Sequence, residues 1–174
     1  MVAKKLSMGQ VSRAMLQKQF QITNYIGLVM IGSVFIFAFL VLAIDHGYFS
    51  FLESANPTVD AVVATKIRYL FIFISFVFFV IIKFMKNIIL RFLQKQYANS
   101  LYPVVLRLFA FTLLVFGLCE TISIYGLVLF ILSRNPNDFF IFMAISLLYF
   151  YLFYPKYEDW EKIFNQELQG NPSP

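Results

Sequence analysis

The chain has 174 residues, 60% of them hydrophobic and 13% charged, with a formal net charge of +5. A soluble domain carries roughly 25% charged residues, so this composition excludes an ordinary water-soluble domain and points to a bilayer as the solvent. The basic residues flank apolar runs instead of forming one patch, which membrane topology explains without nucleic acid. The single cysteine, Cys119, leaves no intramolecular disulfide and no cysteine-ligated metal site.

Residues 1–24 form a basic cytoplasmic segment with Lys4, Lys5, Arg13 and Lys18. Met8, Val11 and Met15 recur there at helical spacing. That pattern suits a short helix on the anionic inner leaflet, with an unstructured start as the alternative. No cleavage site follows the first apolar run, so residues 25–44 read as a retained transmembrane helix. Gly27 and Gly32 are five apart and do not form GxxxG. Ser33 is expected to bond back to its own helix.

Residues 45–61 read as an extracytoplasmic loop. Asp45, His46, Glu53 and Asp60 lie there without metal-ligand spacing, so no metal site is expected. The second transmembrane helix covers 62–82. Its uncharged run from Tyr69 to Ile82 is too short alone, so the helix must include Lys66 and Arg68, whose stems would snorkel to headgroups. Residues 83–103 form a basic connector, with Lys83, Lys86, Arg91 and Lys95 on a helix continuing into the interface. Pro103 suits the opening of the third helix, 104–133.

Asn135 and Pro136 then make a cap and a first helical position, so the fourth helix, 136–154, follows almost without a loop. In the tail, 155–170, Tyr157, Trp160, Ile163, Phe164 and Leu168 share a face. This predicts an interfacial helix with Trp160 at headgroup depth, or a contact surface for a soluble partner. The N-terminal and 83–107 segments carry nine Lys/Arg, while the 45–68 loop and the 133–138 turn carry three. The expected architecture is an all-α integral membrane protein with four transmembrane helices, both termini cytoplasmic, and amphipathic interfacial helices at its ends. An inner-membrane, multi-pass setting follows.

The third helix holds the feature that needs explaining. From Leu108 to Leu132 every residue is uncharged except Glu120, at the midpoint. A carboxyl at that depth costs several kcal/mol, roughly 2.5–3.5 by the milder scales, and usually marks function. Gly117 and Ser123 lie on the same helical face and leave room for an approaching helix. No other span offers a mid-depth Lys, Arg or His, so the partners are neutral: Ser33, Ser75, Ser146, Tyr125 or Tyr149. Without a cation the carboxyl should prefer its protonated form. Glu120 then either locks a helix interface in a bundle or oligomer, or exchanges a proton or cation with a charged partner on another chain.

Gly117, Leu118, Glu120, Ile122, Ile124, Tyr125, Gly126, Leu127 and Val128, within GLCETISIYGLVLFIL at 117–132, carry a family likeness. This run resembles the ion-carrying helix of the rotor-ring proteolipids (subunit c) of rotary ATPases. The resemblance implies that Glu120 binds a translocated proton or sodium ion, with Ser123 and Tyr125 as neighbours. It stops at residue 132; neither of the first two spans has the regularly spaced glycines of the family's partner helix.

No HExxH, GxSxG, CxxC or phosphate loop is present, and no span pairs two carboxylates, so no enzyme activity and no cofactor are expected. Four helices without an inverted repeat are few to enclose a transport path. The expected partners are the lipid bilayer and either further copies of the chain or other membrane subunits.

Overall fold

The computed structural model describes residues 2–48, 59–96 and 101–168, with side-chain surroundings for 13–48, 59–84 and 104–165. Glu53, the Met8/Val11 face, the basic face beyond Phe84 and the end of the tail lie outside these. The described residues form five helices and no strand. They are α1 (Val2–Asp45), α2 (Ala61–Gln96), α3 (Leu101–Ser133), α4 (Pro136–Phe153) and α5 (Tyr157–Leu168). Four of these contain stretches long and apolar enough to cross a membrane: Arg13–Asp45, Ala61–Phe84, Val104–Ser133 and Pro136–Phe153. The protein is an all-helical, multi-pass membrane protein.

The N-terminal segment differs from expectation. It is no separate surface helix: α1 runs unbroken for 44 residues, about 66 Å at 1.5 Å per residue, against a hydrocarbon core of about 30 Å. The first proline in the chain is Pro57, so nothing before it forces the backbone ladder to stop. α1 ends instead at Gly47, whose φ of 77° reverses the chain.

The α3–α4 turn is as tight as two residues allow. Arg134 adopts a left-handed φ of 57°, and its N–H donates to the carbonyl of Phe130 at 2.8 Å. Asn135 then caps α4, its side-chain oxygen accepting from the N–H of Asn137 at 3.1 Å, with Pro136 in the first turn.

This hairpin is the centre of the molecule. Packing at Gly126 brings the two helices together: a Cβ there would lie 2.7 Å from Cβ of Phe142 and 3.1 Å from the Phe139 carbonyl oxygen. α1 packs against both hairpin helices, and so does α2, yet the backbones of α1 and α2 do not approach each other closely among the described residues. The four spans therefore form a rhombus whose short diagonal is the α3–α4 contact. Phe116, Ile122, Leu129 and Phe142 fill the middle, so a lumen between the four helices has no place.

At the basic end, α5 folds back onto the bundle. Trp160 and Phe164 pack with Leu16 of α1 and with Val104, Val105 and Leu108 of α3; they are 3% and 0% exposed. The Trp160 and Phe164 part of the expected apolar face thus packs on protein. α1 and α3 extend past their apolar cores and offer that face a protein surface, and Phe20 completes it by edge-on contacts to Tyr157 and Trp160.

Candidate functional site at Glu120

Four of the five pairs of packed spans are tied by a polar contact among the described residues, the α2–α3 pair being held by apolar and aromatic packing. Ser146 on α4 donates to the carbonyl of Cys119 on α3 at 2.7 Å. Tyr149 on α4 donates to the carbonyl of Ser75 on α2 at 3.1 Å. Just past α4, Tyr154 donates to the carbonyl of Asn24 on α1 at 3.3 Å. The α1–α3 tie is the one that involves Glu120.

Ser33 Oγ lies 2.5 Å from Glu120 Oε1 and 2.6 Å from the carbonyl oxygen of Met30, one turn back on its own helix. Both groups fall near the middle of their spans, which is why they meet. A serine hydroxyl carries one proton and here faces two oxygens. The hydroxyl donates to Glu120 Oε1, with the Met30 carbonyl as a second acceptor on its own helix. Among the described residues Ser33 is the carboxyl's hydrogen-bond partner, and Glu120 stays partly exposed, its second oxygen not sealed inside the chain.

The other residues expected at this site separate. Ser123 is fully buried, and its hydroxyl bonds the backbone carbonyl of Glu120 at 2.8 Å, not the carboxyl. Tyr125 stacks on Phe71 of α2, ring centroids 4.7 Å apart, on the flank of α3 away from α1. Gly117 receives no helix among the described residues: a Cβ there meets nothing within 4 Å, and the same holds for Gly32, next to Ser33. Gly27 is the glycine of α1 that is used, with the Phe116 ring 2.8 Å from where its Cβ would be. The site therefore reduces to Glu120 and Ser33, beside two small residues that face open space. Mid-span depth makes Ser33 one of the neutral candidates, and the packing of α1 against this side of α3 singles it out.

A second polar centre sits at the α3–α4 turn, where snorkelling was expected of Arg68. Its guanidinium instead lies 2.5 Å from Oδ1 of Asp138, which is 1% exposed. Oδ2 of Asp138 accepts from Ser133 at 2.9 Å. Asp138 lies in the first turn of α4, where backbone N–H groups favour a negative charge. The pair pins α2 to the hairpin, and no metal-binding cluster occurs among the described residues.

No family model, curated protein or solved structure matches the chain.

Proposed function

We propose that the chain is a non-enzymatic, membrane-embedded assembly subunit, functioning in a homo-oligomer or a larger membrane complex. Its Glu120 locks α1 to α3 and helps form the face on which another helix packs. The observation that carries this reading is the half-engaged carboxyl. One oxygen is held by Ser33, and Glu120 stays partly exposed on the helix face it shares with Gly117, where a Cβ would meet nothing within 4 Å. In hydrocarbon an unpartnered carboxyl oxygen is costly, and a helix laid over Gly117 would cover it. Both termini at the cytoplasmic side of an inner membrane suit the distribution of basic residues.

Coupling of proton or sodium movement is the second reading, and it rests on the proteolipid-like run at 117–132. The rhombic packing offers no path between the four spans, so an ion reaching Glu120 would have to arrive along an interface with another chain. Proton flux in proteoliposomes tests this reading directly, through its loss on Glu120→Gln.

Assembly is tested by the mass of the detergent-extracted particle, with bound detergent subtracted. The expected wild-type mass exceeds the 20.3 kDa of one chain. Gly117→Leu, whose side chain enters space this chain leaves empty, should preserve the helical fold and reduce that mass. A wild-type particle of one chain, or an assembly indifferent to Gly117→Leu, would refute the proposal.

A further inference from the structure

At the basic end of the bundle a cleft of about 490 Å³ opens between the end of α2, the start of α3 and the α4–α5 corner. Its size lies within the range of small-molecule sites. Three cations, Lys83, Arg107 and Lys156, come from the ends of three different spans, and Glu158 and Asp159 also line the cleft. Arg107 and Asp159 already make polar contacts; Lys83 and Lys156 stand exposed.

Deeper in, the walls turn apolar, with Phe111, Val115 and Phe153. Val115 is eight residues from Arg107, about 12 Å further along the helix. Charge at headgroup level with apolar walls beneath it is the profile of an amphiphile, and basic pockets between spans favour anionic headgroups.

We propose that this cleft binds one phospholipid with an anionic, phosphate-bearing headgroup. Lys83 and Lys156 hold the phosphate, and an acyl chain lies along Phe111, Val115 and Phe153. The membrane stretch of α2 is the least enclosed of the four, and α5 forms the remaining wall of the cleft. A free inorganic phosphate shares the headgroup chemistry but would leave the apolar walls unfilled.

The chain supplies its own reporter, since Trp160 is its single tryptophan and lines the cleft. The full-length protein is reconstituted in phosphatidylcholine vesicles, and Trp160 fluorescence is followed as phosphatidylglycerol with brominated acyl chains is added. The expected result is saturable quenching at low mole fraction, with brominated phosphatidylcholine giving only a shallow, proportional loss. Lys83→Gln with Lys156→Gln should raise the phosphatidylglycerol needed for half-quenching on the order of ten- to thirtyfold. Lys66→Gln, at the other end of α2, should leave it unchanged. Equal quenching by both lipids, no shift in the double variant, or an equal shift in Lys66→Gln overturns the proposal. Relief of quenching by added inorganic phosphate would instead make the cleft a site for the free anion and overturn the lipid assignment.

Discussion

Removing Arg68 should hurt the protein more than removing its partner, and by a calculable margin. Asp138 is 1% exposed whereas the Arg68 side chain is 30% exposed. Breaking a fully buried pair by deleting one member costs about 3–5 kcal/mol, because the remaining charge is stranded. Solvent access on the arginine side lowers the gain lost, and Ser133 together with the start of α4 still supports the carboxylate. Arg68→Ala should therefore cost about 2–3 kcal/mol. Asp138→Asn leaves a guanidinium that can swing to the headgroups, and should cost about 1 kcal/mol. The assay is reversible unfolding in mixed detergent micelles, run as a double-mutant cycle. Equal costs for the two single variants, or a coupling energy below about 0.5 kcal/mol, would refute the assignment of Arg68 as the pin between α2 and the hairpin.

Other substitutions read the same architecture. Gly126→Ala places a methyl against the Phe142 side chain and the α4 backbone and should destabilise by about 1–3 kcal/mol, measured by the same unfolding assay. Tyr149→Phe and Ser146→Ala each remove one interhelical bond and should cost about 0.6 kcal/mol, at most about 1.7; a larger loss for Tyr149→Phe would show that this hydroxyl carries more of the α2–α4 contact than one ordinary bond. Trp160→Ala should free α5 from the bundle, exposing 157–168 to limited proteolysis while the four spans stay protected.

Much of this fold was legible in the sequence, for an identifiable reason. Spans are declared by apolar length, and the α3–α4 hairpin by Asn135 and Pro136, both of which are local signals. What escaped depended on what lies opposite. Arg68 reads as a snorkelling residue until α4 places Asp138 against it. The apolar stripe around Trp160 is equally consistent with lipid or protein, and only the overhang of α1 and α3 decides for protein. Gly117 and Gly126 look alike in sequence, nine residues apart on one helix, yet one meets the backbone of α4 and the other meets nothing. Glu120 was evident as an isolated charge, and Ser33 was one of several neutral hydroxyls at suitable depth. Choosing it required knowing that α1 and not α2 flanks that side of α3.

The central claim is that Glu120 serves as a hydrogen-bonding lock at an interface and not as an ion carrier. The most direct measurement is the mass of the detergent-extracted assembly for Glu120→Gln beside Glu120→Leu. Glutamine keeps the size of the side chain and an acceptor for Ser33, whereas leucine keeps neither donor nor acceptor. The account predicts a wild-type mass for Glu120→Gln and a dissociated particle for Glu120→Leu. An assembly that survives leucine intact, or one that glutamine disrupts as fully as leucine does, would contradict it.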